Sequence, residues 1–134
     1  MPAGEIRVAI NSDQDIVAAR QRGRALAAGL GFSVVDSTLI ATAISELARN
    51  IVSYARKGEI TLKAIQNSAS QGILIVASDD GPGIQDVAQA LRDGFSTSGS
   101  LGLGLPGVRR LMDEFSIVSQ PGRGTRVEVR MWRR

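Results

Sequence analysis

The chain of 134 residues has no cysteine and no histidine. The first absence excludes disulfides, thiolate metal ligands and cysteine nucleophiles, and is compatible with a reducing compartment. The second excludes imidazole general bases, serine–histidine triads, the usual zinc ligands and any phospho-histidine relay within the chain. Aromatic residues are only 4% of the total, and no motif interleaves them with basic residues as nucleic-acid binders do. Apolar runs are short as well. None nears the roughly 18 residues of a membrane-spanning helix, and Met1-Pro2-Ala3-Gly4-Glu5 has no apolar signal core. The expectation is a cytoplasmic, soluble protein that partners neither membrane nor nucleic acid. Gly-Lys-Ser and Gly-Lys-Thr are also missing, so there is no Walker loop.

The net charge of +3 is modest but uneven, with Arg20, Arg22 and Arg24 close together and Arg130, Arg133 and Arg134 at the C-terminus. Such clusters read first as solvated faces. Length, the lack of repeats and the lack of a linker predict one domain over residues 1–134 with a core that needs no covalent staple.

Apolar periodicity predicts the elements. Ile6, Val8 and Ile10 alternate as a strand. Asn11-Ser12-Asp13 carries capping chemistry ahead of a helix from Ile16 to Leu30 that Gly29 and Gly31 end. Ser33, with Asp36 in the capping-box place, opens a long helix from about Val34 to about Ala55, closed by Lys57-Gly58. Strands follow over Glu59 to Gln66 and Gly72 to Ser78, joined by a polar turn as an antiparallel hairpin. A short helix over Gln85 to Arg92, a Gly/Ser/Thr loop over Asp93 to Gly104 and a helix over Leu105 to Phe115 come next. Strands over Ser116 to Gln120 and Thr125 to Met131 close the chain around the turn Pro121-Gly122-Arg123-Gly124. Hairpins separated by helices predict an α+β two-layer sandwich, with helices on one face of a mixed, mainly antiparallel sheet.

Four stretches carry candidate chemistry. Asp79-Asp80-Gly81-Pro82-Gly83-Ile84 leaves the most apolar strand, where an acid at the strand end can accept a hydrogen bond from an amine and the glycines let backbone approach a ligand. Glu46 and Asn50 lie one helical turn apart, beside the stripe Ile40, Ala43, Leu47, Ile51 and Tyr54. Asn50 can offer oxygen to a hard cation such as Mg²⁺, and Glu46 can orient or deprotonate a hydroxyl or water. Arg49 between them reads first as a surface arginine and second as a cation that steers phosphate or substrate. Gly99-Ser100-Leu101-Gly102-Leu103-Gly104-Leu105-Pro106-Gly107 runs from loop into helix, where free N–H groups and the helix N-terminus suit phosphate oxygens. Gly122-Arg123-Gly124-Thr125 opens the last strand, and Thr125 can share a hydrogen bond with whatever Asp79 holds. Each stretch alone has an ordinary reading too: a tight turn, an exposed polar pair, a connector, a hairpin turn.

Together, in the order Glu-x-x-x-Asn, Asp-x-Gly-x-Gly, Gly-x-Gly, Gly-Thr, they resemble the GHKL ATPase superfamily of gyrase, Hsp90 and histidine kinases over about residues 33–131. That resemblance implies a Bergerat ATP-binding fold with ATP and Mg²⁺ as cofactors. It implies that Asp79 accepts the adenine amino group with Gly81, Gly83 and Thr125 beside it, and that Asn50 is the metal ligand and Glu46 the catalytic base. Gly102, Leu103 and Gly104, with the loop from about Phe95, would cover the phosphates, while Asp80 has no direct role. At this length the expectation is that the chain carries neither a phospho-accepting helical hairpin nor a transducer domain. Ser45-Glu46-Leu47-Ala48-Arg49-Asn50-Ile51 and Gly104-Leu105-Pro106-Gly107-Val108-Arg109-Arg110 then resemble the free-standing stressosome switch kinases, through nearly the whole chain. By that resemblance the substrates are serines or threonines of STAS-domain proteins and the later partner is a PP2C-type phosphatase. Two alternatives stay open: an anti-sigma factor kinase, against which Leu105-Pro106-Gly107 argues, and a nucleotide-binding module without catalysis.

Overall fold

The structure is a computed structural model and describes residues 5–83 and 104–134. Alternating apolar side chains build five strands: β1 (Ile6–Ile10), β2 (Gly58–Gln66), β3 (Gln71–Asp79), β4 (Glu114–Gln120) and β5 (Gly124–Trp132). The helices are α1 (Asp13–Gly29), α2 (Val34–Asn50), which runs on as a π-helical turn over Ile51–Ala55, and α3 (Gly104–Leu111). The sheet order is β1-β2-β3-β5-β4. All four pairings are antiparallel, so among the described residues the expected mixed sheet has no parallel pair. The α+β sandwich itself is as expected.

One sheet face is apolar. Val8 and Ile10, Ile60 and Leu62, Ile73, Ile75 and Ala77, and Val127, Val129 and Met131 all point to it and are buried. Ile16 and Ala27 of α1, Ile40, Ile44 and Leu47 of α2 and Val108 of α3 meet them in one core cluster. Each fully buried isoleucine or leucine contributes about 1.5–3 kcal/mol relative to exposure, so this face dominates the stability of the domain. The opposite face carries Arg7, Lys63 and Arg126, all exposed, which is why one helical layer suffices.

The capping residues act as expected, with one relocation. The Asp15 carboxylate accepts hydrogen bonds from the Asn11 and Ser12 N–H groups at 2.8 and 3.2 Å. The α1 C-terminus closes through Gly31 (φ 90°), with Phe32 N–H donating to Ala27 O and Gly31 N–H to Ala28 O. Ser33 Oγ accepts from Asp36 N–H at 3.0 Å. The long helix ends at Ala55 as expected, but the left-handed residue that closes it is Arg56 (φ 72°), not Lys57-Gly58. Gly58 is already in β2, where a Cβ would lie 2.5 Å from Ser78 O and 2.8 Å from Ile51 Cγ2. Its lack of a side chain lets the end of the long helix sit on the sheet.

The last helix is shorter than the expected Leu105 to Phe115. It stops at Leu111, and Phe115 lies in β4 opposite Val129. Asp113 makes the corner: its N–H donates to Arg130 O at 2.9 Å, and its carboxylate accepts from Trp132 N–H at 2.8 Å and from Arg134 at 2.9 Å. Sheet hydrogen bonds thus capture residues that helical periodicity would have kept. Asp113→Ala removes the acceptor for Trp132 N–H. A stability loss of about 1 kcal/mol is expected, read as a lower urea midpoint at unchanged slope. An unchanged midpoint would show that the corner holds without it.

The expected short helix over Gln85 to Arg92 and the glycine-rich loop from Asp93, including Gly102 and Leu103, lie outside the described residues.

Candidate active site

The period of two along a strand places Asp79 on the helix-facing side, in step with Ile73, Ile75 and Ala77. Thr125 stands on the same side, in step with Val127 and Val129, and the register pairs the two directly. Gly58 is opposite Asp79 on its other flank, and Ser119 opposite Thr125. One row at the sheet's end therefore reads Ser119, Thr125, Asp79, Gly58. Ser119 Oγ and Thr125 Oγ1 are 2.8 Å apart, and Ser119 Oγ also donates to Gly124 O at 3.1 Å. This hydroxyl pair was only half visible in the sequence, which pointed to Thr125 and not to Ser119.

Beyond the row the chain turns twice and the turns interlock. Asp79 Oδ1 accepts the Gly81 N–H at 2.9 Å, fixing the carboxylate by an Asx-type turn. Gly122 N–H donates to Pro82 O at 2.7 Å, tying the Asp79–Gly83 turn to the turn before β5. Gly124 (φ 89°) passes so close to Asp79 that an added Cβ would overlap the Asp79 carbonyl. Gly122 has a similar φ of 79° but nothing within 4 Å of an added Cβ. Gly124→Ala is therefore expected to cost about 1–3 kcal/mol of stability and Gly122→Ala distinctly less, by chemical denaturation. Equal losses would mean that φ alone matters and that the approach to Asp79 does not. Beside this rim a cleft of about 380 Å³ is lined by Asp79, Asp80, Ser119, Arg123 and Thr125 together with Ser78, Val118 and Arg126 of the outer face, and neither Asn50 nor Glu46 lines it.

The helical side of the site comes from the end of α2. A Cβ at Gly58 would meet both Ile51 Cγ2 and Asp79 Cβ, at 2.8 and 3.0 Å, so Ile51 and Asp79 lie side by side. Gly81 is likewise pressed on Ala55. The π-helical turn thus rests on the Asp79–Gly81 turn and brings half-buried Asn50, immediately before it, to this end of the sheet. A π turn is a rare irregularity, often found at functional sites. Nothing in the sequence pattern announces it.

Glu46 is more buried than its position at the core margin suggests, at 6% exposure. A buried carboxylate needs partners, and among the described residues this one has two. Oε1 pairs with the Arg49 guanidinium, and Oε2 accepts the N–H of Gly104, the first residue of α3, at 3.2 Å. A carboxylate at a helix N-terminus meets unpaired N–H groups and the favourable end of the dipole. Arg49, expected first as a surface residue, keeps a side chain 40% exposed while its guanidinium binds Glu46. Tyr54, placed in the apolar stripe by the sequence, is 48% exposed. The π turn after Asn50 departs from the α-helical spacing that placed it there.

The structure thus gathers Asp79, Gly81, Gly83 and Thr125 at the sheet end and joins Glu46 to Gly104. Asn50 stands on α2 one turn after Glu46 and immediately before Ile51, which lies beside Asp79. Among the described residues no cluster of three or more carboxylates could hold a metal by itself. A magnesium ion carried on phosphates needs only one or two protein oxygens, and Asn50 can supply one. No described helix is long and apolar enough to cross a membrane.

The family model of histidine kinase-, DNA gyrase B- and HSP90-like ATPases matches residues 35–134. The chain is 54% identical over 127 residues to the serine/threonine-protein kinase RsbT of Bacillus subtilis, covering 95% of this chain and 96% of that one. It is 32% identical over 126 residues to an anti-sigma F factor of Thermoanaerobacter sp. (strain X514), covering 90% and 87%. To an anti-sigma F factor of Caldanaerobacter subterraneus the identity is 31% over 124 residues, again covering 90% and 87%.

Proposed function

The chain belongs to the histidine kinase-, DNA gyrase B- and HSP90-like ATPase family, and we propose that this serine/threonine protein kinase transfers the ATP γ-phosphate to STAS-domain proteins in the cytoplasm. Once released from them it binds and activates a PP2C-type phosphatase, as a switch in stressosome signalling. The observation that carries the chemistry is the pairing of Asp79 with Thr125 on the helix-facing side, next to the π-helical turn that follows Asn50. The relation to RsbT supports the protein acceptor.

In this reading Asp79 accepts the adenine amino group through its carboxylate, held by Gly81, while Thr125 extends the hydrogen-bond row. Gly83 lets the backbone approach the base. Gly102 and Leu103, ahead of the α3 N-terminus at Gly104, would offer N–H groups to the phosphates, while the Gly104 N–H is held by Glu46. Asn50 holds Mg²⁺, which when bound offsets charge on the phosphate oxygens. Glu46 orients the acceptor hydroxyl and takes its proton. Positioning and charge stabilisation account for most of the catalysis in such a transfer.

The test is incubation with γ-labelled ATP, magnesium and a candidate STAS protein. Label on a serine or threonine of the STAS protein is expected; nucleotide binding without any transfer would overturn the kinase reading. The two anti-sigma F factors, about a third identical over most of the chain, favour one second reading: a kinase that sequesters a sigma factor. Capture of a purified sigma factor in preference to the STAS protein would establish it.

A further inference from the structure

Arg49 has no part in the assignment above, yet its guanidinium is bound to the buried carboxylate of Glu46. Glu46 Oε2 in turn holds the first N–H of α3. We propose that Arg49 is a positioning residue: it orients the Glu46 carboxylate so that one oxygen holds the start of α3 and the other stays aimed. This inference rests on the kinase reading for its consequence and on geometry alone for its existence.

Three observations support it. Glu46 and Arg49 are three residues apart on α2, so their side chains share a helix face without any tertiary adjustment. Glu46 is 6% exposed, and an ionised carboxylate at that depth needs a cationic or N–H partner on each oxygen, which Arg49 and Gly104 supply. A carboxylate has about four acceptor positions, so two hydrogen bonds fix its plane and still leave lone pairs for an acceptor hydroxyl. Arg49 reaches no reacting atom in this scheme; it acts through Glu46. The guanidinium is also suited to this task because it holds its donors in a rigid fork.

The test has a readout that does not depend on catalysis. In the ¹⁵N-labelled full chain, Arg49→Ala is expected to shift the Gly104 amide resonance and speed its hydrogen exchange, as Glu46→Gln does. Arg49→Lys is expected to restore most of both. A Gly104 amide that responds to Glu46→Gln and ignores Arg49→Ala overturns the proposal. Should Arg49→Ala not fold, Arg49→Gln against Arg49→Lys answers the same question. In phosphoryl transfer, Arg49→Ala is expected to lower kcat about tenfold or more with the Kd for ATP within about twofold. It is expected to add nothing in a Glu46→Gln background. A loss confined to ATP affinity, or one fully additive with Glu46→Gln, would mean that Arg49 touches the ligand directly, and overturns the positioning role. If the wild type transfers phosphate to no acceptor, the kinase reading fails while the Gly104 measurement still decides the structural link.

Discussion

Asp79→Asn is expected to weaken ATP binding by about tenfold to a hundredfold while the domain stays folded. The carboxylate is proposed to make a charge-assisted hydrogen bond with the adenine amino group, and such a bond contributes about 1.5–3 kcal/mol. The substitution is chosen for what it keeps. Asn has one side-chain oxygen, which can still accept the Gly81 N–H that now binds Asp79 Oδ1 at 2.9 Å. The turn after β3 is therefore preserved. What changes is the other end of the group, where an acceptor becomes an NH₂ donor facing another donor. Calorimetric titration with ATP, alongside a thermal melt, separates the two effects. An unchanged Kd would remove Asp79 from the adenine site, and a collapsed melt would show that its negative charge matters to the fold.

The second large effect is expected at Glu46. Glu46→Gln retains the size and one oxygen for the Gly104 N–H, but it cannot take a proton and no longer pairs as a charge with Arg49. Transfer to the acceptor protein should slow by about 10²–10⁴-fold, the usual contribution of a positioned general base, with ATP affinity close to wild type. Single-turnover transfer with pre-bound nucleotide reads the chemical step directly. Equal loss of binding in Glu46→Gln and Asp79→Asn would contradict the division between base and adenine acceptor.

These two residues also show how far the sequence could be read. Asp79 was legible because it ends a continuous apolar strand and is followed by turn residues, although an acid there also serves a tight turn, as its bond to Gly81 N–H shows. That Thr125 could share a ligand with Asp79 was legible as a possibility, and the register places the two residues directly opposite each other. The sandwich followed from hairpins and amphipathic helices, since period two and period 3.6 are local signals. The end of α3 differs from the expectation because Met112 and Phe115 continue the helical spacing, while the competing partners, the Arg130 carbonyl that accepts from Asp113 N–H and the Trp132 N–H that donates to its carboxylate, come from the far end of the chain. The same holds for Gly58. It looked like a helix stop, and its use is to admit Ile51 beside Asp79, a contact with no local trace. Ser119 was not legible as a partner for a related reason: serines in edge strands are ordinary surface residues until a tertiary neighbour is known. Arg49 instead pairs locally with Glu46, three residues back on α2, and only the burial of that carboxylate was out of reach. Gly102 and Leu103 lie outside the described residues, so their part in holding phosphate is a proposal from the motif.

The central claim is that Asn50, the Asp79–Gly83 turn, Thr125 and the start of α3 surround one nucleotide. Amide chemical-shift mapping with magnesium and a non-hydrolysable ATP analogue tests it most directly. The expected result is one saturable set of perturbations that includes Asn50, Asp79, Gly81, Gly83, Gly104 and Thr125, with the outer sheet face at Lys63 and Arg130 silent. Perturbations that gather on that outer face, or that leave both Asn50 and Asp79 unmoved at saturation, would contradict the account.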